Sequence, residues 1–157
     1  MNSTVATNGI FSFTIQPSPS DDYDFAVWVF PSGTPIPCPP NIPPVRCSWA
    51  ATSGPTGLNN GSVDVSEDAF GNGWVSNLNV TAGQQLLILI DNFSATNTPF
   101  TMDFNGTASL ASGGVISGTT TLCAGLTSQL AGPGVLQQQT LGKVQIPLLL
   151  LFQTQVC

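Results

Sequence analysis

The chain has no histidine and, across 157 residues, only two cations, Arg46 and Lys143. The commonest general base and the commonest zinc ligand are therefore missing, and every Ser-His or Cys-His nucleophile arrangement is excluded. A two-carboxylate glycosidase is the catalytic class left open. No carboxylate pair stands out in the sequence, however, and the chain reads as non-catalytic. So few cations also argue against nucleic acid, whose affinity rests on Lys and Arg neutralising phosphates, and against basic-patch binding to anionic lipid. Charged residues are only 6% of the chain against 41% hydrophobic. Ser, Thr, Asn, Gln and Gly must then cover the surface, as in extracellular β-proteins, whereas a disordered acidic chain would be less apolar and more charged. The apolar run Ile146–Phe152 is seven residues with a proline inside, short of the roughly 20 that a transmembrane helix needs. No membrane insertion is expected. The N-terminal "MNSTVATNGIFSF" has neither the basic nor the apolar region of a signal peptide. Its Met reads as internal to a longer secreted protein whose export signal lies upstream.

What charge there is has one sign. All eight acidic residues lie between Asp21 and Asp103, with Arg46 as the one cation in that span. Calcium, which takes roughly six to eight oxygen ligands, is the charged partner such loops could hold. Its candidate ligands are Asp21, Asp22 and Asp24 at the opening of a strand, Glu67 and Asp68 in a loop, and Asp91 at the end of "LLILID". The competing reading makes these solvated turn residues, with Asp24 and Asp91 as buried polar groups that tie loops together. Four cysteines are present; Cys38 and Cys47 bound "CPPNIPPVRC", with four prolines between them. Neither a C-x-x-C motif nor a histidine supports zinc. A Cys38–Cys47 disulfide is expected, which implies an oxidising compartment and contributes about 2–3 kcal/mol. Cys123 and Cys157 have no evident partners. Among the tryptophans, Trp28 reads as core, whereas Trp49 and Trp74 could either cap the sheet edge or stack on a sugar face. Sequons at Asn2, Asn60, Asn79, Asn92 and Asn105 follow from the Asn/Ser/Thr-rich composition.

Period-two alternation recurs along the chain. In "IFSFTIQ", Phe11, Phe13 and Ile15 share one face; in "PFTMDFNGT", Phe100, Met102 and Phe104 do. "YDFAVWVF" and "QQLLILIDNF" are apolar on both faces, as central strands would be, and "GWVSNLNVT" is a weaker strand ending in a turn at Ala82-Gly83. Pro/Gly/Asn/Ser segments at 17–20, 31–44, 53–62 and 94–99 separate them. No helical stripe occurs. Strands at this spacing predict an all-β chain, an antiparallel β-sandwich or jelly roll, over residues 1–110. Residues 111–118 read as a linker.

The strings "DDYDFAVWVF", "CPPNIPPVRCSWAATSGPTGL" and "VTAGQQLLILIDNFSATNTPFTMDFNGTA" carry a resemblance in order and spacing. Residues 8 to 110 resemble a β-sandwich module of large secreted surface proteins of Bacteroidetes, the group that uses type IX secretion and gliding adhesins. The layout is similar to pre-peptidase C-terminal domains and to carbohydrate-binding jelly rolls. The segment "ISGTTTLCAGLTSQLAG" looks like the opening of a bacterial Ig-like repeat, placed at 119–133. The resemblance implies an extracellular or cell-surface adhesin, stalk or accessory domain whose partners are neighbouring domains, with polysaccharide binding as the alternative. It also bears on the tail. Codons for S-P-A-A-T-N-P-W-E-S-S-N-T-A-V-A-T-V-S-N-T-G-L, which an Ig-like repeat should carry next, can be chosen to give "VLQQQTLGKVQIPLLLLFQTQVC" one frame over. Residues 134–157 therefore read as a frameshifted, non-native tail.

Overall fold

The structure is a computed structural model, which describes residues 1–111, 120–122 and 126–128. The main body contains β1 (Asn2–Thr4), β2 (Gly9–Pro17), β3 (Tyr23–Phe30), β4 (Arg46–Ser48), β5 (Thr56–Asn59), β6 (Ser66–Glu67), β7 (Trp74–Ser76), β8 (Leu78–Val80), β9 (Gln85–Asn92) and β10 (Phe100–Gly106). The first sheet has the order β1-β9-β3-β4-β6, and the second β10-β2-β5-β7, with β8 also paired to β2. The expected all-β sandwich is present. Most pairings are antiparallel, but β4–β6 and β5–β7 are parallel, a feature that alternation alone does not foresee.

The alternating residues meet between the sheets. Phe11, Phe13 and Ile15 of β2 pack with Phe25 and Val27 of β3, Leu58 of β5, Val75 of β7, Leu86 and Ile88 of β9, and Met102 of β10. Phe13 and Phe25 cross the interface edge-on, with ring centroids 5.2 Å apart. Burying each phenyl contributes roughly 1.5–3 kcal/mol, which makes this pair a centre of the core.

The second apolar face of β3 and β9 also has a cover. Ala26, Trp28, Phe30 and Cys47 form a separate cluster on the outer side of the first sheet, joined by Ile36, Leu87 and Leu89. The Pro-rich loop between β3 and β4 brings in Ile36 and folds back far enough for Trp28 Nε1 to donate to the Ile42 carbonyl at 2.9 Å. Doubly apolar strands thus arise because a loop, rather than a third sheet, covers them. Cys38 and Cys47 are each disulfide-bonded.

Both open sides of the sandwich are stitched. On one, Val5 bridges Leu110, and Ala6 N–H and Ala111 N–H donate to the Ser109 and Thr4 carbonyls. On the other, the Arg46 guanidinium of β4 donates to the carbonyls of Ser76 and Asn77 in the opposite sheet, at 2.7 and 2.9 Å.

Three expectations change in detail. "GWVSNLNVT" is not one strand: it breaks at Asn77 into β7 on β5 and β8 on β2. The segment 53–62, read as loop, contains β5. Glu67, placed in a loop from sequence, ends β6. Farther along, β11 (Thr120–Leu122) and β12 (Leu126–Ser128) pair antiparallel. Cys123, Cys157, Lys143, most of the 111–118 linker and the whole 134–157 tail lie outside the described residues.

Candidate functional site at the carboxyl-rich end of the sandwich

The chain enters β3 through Asp21 and Asp22 and leaves β9 through Asp91 and Asn92, so the antiparallel pairing of these strands gathers acidic groups at one end. Tyr23 pairs with Asn92, and Asp24 with Asp91. Alternation then separates the groups by face. Asp21 accepts hydrogen bonds from Asp22 N–H at 2.9 Å, from Asn92 Nδ2 at 3.1 Å, and from the Thr96 hydroxyl. The Thr96 hydroxyl above all, with the Asp22 N–H, holds the Asp21 carboxyl well below the usual carboxylate range. Nearby, the Tyr23 hydroxyl donates to the Thr98 carbonyl at 2.6 Å. These bonds tie the β2–β3 loop to the β9–β10 loop.

Asp22, Asp24 and Asp91 differ from Asp21. Phe25 and Ile90, the next pair along, pack into the inter-sheet core, so Asp24 and Asp91 point to the outer face. Asp24 is only 6% exposed. Burial first, then the charges of Asp22 and Asp91, pushes its carboxyl up to about 7. Burial raises Asp91 as well. Asp22 is raised by burial and then by the charge of Asp21, and its Oδ1 is buried without a hydrogen-bond partner, as is Asn92 Oδ1.

The six carboxylates named from sequence do not converge. Glu67 pairs in register with Ser48, and Ser48 with Phe25, on the inter-sheet side of the first sheet. Its carboxylate is taken by the Asn72 N–H, packed so closely against Gly71 that a Cβ there would collide with it. Asp68 accepts from Phe70 N–H at 2.8 Å, an Asx turn. Among the described residues, no group of three or more Asp, Glu, Cys or His side chains is arranged to hold a metal ion. Asp68 is a turn residue, whereas Glu67 is a buried strand residue whose carboxylate caps the Asn72 N–H. The loop-tying role considered for Asp24 and Asp91 belongs to Asp21.

Trp49 and Trp74 are half-buried, whereas Trp28 is 5% exposed and in the core of the outer cluster. Trp49 follows β4 and Trp74 opens β7, two strands that lie against each other where the sheets meet. Trp74 N–H donates to Asn72 Oδ1 at 2.8 Å, which fixes the start of β7. An open depression of about 470 Å³ lies near the other end of β9, lined by Thr4, Ser32, Thr34, Pro35 and Gln85. None of these carries a titratable group.

In the sequence Arg46 stands out only as the lone cation of the acidic span and Asn92 only as a sequon, and neither Thr96 nor Thr98 is marked. The density of Asn and Thr in "DNFSATNTP" was the available signal, because such residues hydrogen-bond locally in turns. Among the described residues no helix is long and apolar enough to cross a membrane. No protein-family model, curated protein or solved structure matches the chain.

Proposed function

We propose that this chain is a non-catalytic β-sandwich module of a large bacterial surface or secreted protein, acting in adhesion, as a stalk or as an accessory domain. The observation that carries this reading is the disulfide bonding of Cys38 and Cys47, since such bonds persist in oxidising compartments outside the cytosol. Two further features support it. Charged residues are only 6% of the chain, and hydrogen bonds between the two sheets join both sides of the sandwich. The sequence resemblance to Bacteroidetes surface modules points the same way. Antibody raised against residues 1–111 should label intact cells of the encoding organism, or the medium. Labelling that appears only after permeabilisation would contradict the reading.

Carbohydrate binding is the second reading, favoured by the half-buried Trp49, just after β4, and Trp74, at the start of the neighbouring β7. Trp→Ala variants of either residue should then lose retention on polysaccharide columns without losing thermal stability.

A further inference from the structure

Asp24 and Asp91 face each other across two neighbouring strands, on the same side of the sheet. Directly opposed side chains have Cβ atoms roughly 5 Å apart, and like charges at that spacing destabilise the pairing. Nothing that packs around the pair neutralises it. From β4, Arg46 is engaged by the Val45, Ser76 and Asn77 carbonyls at the seam between the sheets. From β6, Glu67 faces the inter-sheet side and is bound to Asn72 N–H. Asp68, beyond β6, is capped by Phe70 N–H. On β3 and its approach stand two more acids: Asp21, bound to Asn92 and Thr96, and Asp22, whose Oδ1 is buried and unpartnered. At the β1 edge, the Met1 amino group donates to the Ile88 carbonyl, three residues back along β9 from Asp91. No hydrogen bond among the described residues reaches the Asp24 carboxyl, whose oxygens keep some contact with solvent although the residue is only 6% exposed.

We propose that Asp24 and Asp91 form a pH-sensitive clamp across β3 and β9. While the pair retains a proton, the two strand ends stay together. When both groups ionise, their repulsion weakens the pairing of these strand ends, against the bonds that Asp21 and Tyr23 make to Asn92, Thr96 and Thr98.

The direction of the pH effect follows from burial. Both carboxyls are raised above their unfolded values, Asp24 up to about 7. Their contribution to stability is therefore complete below the unfolded value of about 4, and is lost as pH rises through the folded one. Asp21 is shifted the opposite way. Its contribution is lost only in acid, below the clamp's window, so it does not mask a fall between pH 5 and 8.

Thermal unfolding of the full chain in EDTA tests this. Between pH 5 and pH 8 the melting temperature should fall by roughly 10 °C. Asp24→Asn should remove most of that fall and Asp91→Asn a smaller part of it, and both should exceed the wild type at pH 8. Asp103→Asn, an exposed acid on β10, should track the wild type and so control for net charge. Carboxyl carbon NMR of the wild-type protein is independent of whether the variants fold, and should show Asp24 and Asp91 titrating above the ordinary Asp range. A melting temperature that stays flat or rises from pH 5 to 8 would overturn the clamp, as would Asn variants that keep the whole fall or ordinary titration of both carboxyls. Restoration of the pH 8 melting temperature by millimolar calcium would also overturn it, by making the pair a cation site.

Discussion

Asp21 and Asp24 are three residues apart in sequence and have opposite electrostatic fates. Asp21 sits where three donors converge and is stabilised as the anion; Asp24 sits one face over, buried and without a donor. Thr96→Val removes the strongest donor to Asp21 and leaves a buried carboxylate short of one partner, which should cost about 1–3 kcal/mol near neutral pH. The loss should shrink on acidification, because the Asp21 anion contributes in full above its unfolded value of about 4 and progressively less as pH falls from there toward the folded one. Urea titrations of the variant and the wild type at pH 6 and pH 3 would measure it, and equal losses at both pH values would contradict the assignment. Arg46 offers a comparable test: its guanidinium is desolvated, which lowers its pKa, and it is held by carbonyls rather than by an acid. None of this could be read from the residue types alone. An aspartate before a strand looks the same whether register turns it toward Thr96 or toward another aspartate.

At the scale of elements, the long strands were legible and the short ones were not. The alternation of β2 and β10 and the double apolarity of β3 and β9 are strong signals, because each buries a whole face or two. The strands β4, β5 and β6 run two to four residues, too short to show a period, and their pairing depends on neighbours distant in sequence. The "TGL" of β5 illustrates what such a stretch can still encode. Thr56 donates its hydroxyl to the Gly73 carbonyl at 2.5 Å and Leu58 enters the core. Gly57 has φ +148°, and a Cβ there would collide with the Phe13 carbonyl of β2. Gly57→Ala should therefore destabilise the protein by roughly 2–4 kcal/mol, despite adding only a methyl group; a thermal melt within a degree of wild type would contradict this close approach. The Pro-rich loop is the other element with a definite expectation. It lies on the face that carries Cys47 and places Ile36 there, two residues before Cys38. Peptide mapping without reductant should recover residues 38 and 47 in one crosslinked species, and a link from either to Cys123 or Cys157 would overturn the pairing. If they are paired, reduction should lower stability by about 2–3 kcal/mol.

At the scale of the molecule, the two clusters, the outer cover and the closure by Leu110 and Ala111 seen among the described residues lie within 1–111. The proposed role as a portable module requires that this span fold by itself. A fragment ending at Ala111 should unfold cooperatively, melt within a few degrees of the full chain, and be more soluble without the Leu-rich stretch at 148–151. Differential scanning calorimetry of the two proteins side by side is the most direct measurement. Superimposable transitions are the expected result. A fragment that melts without a cooperative transition, or far below the full chain, would show that the sandwich depends on residues beyond Ala111 and that 1–111 is not a module.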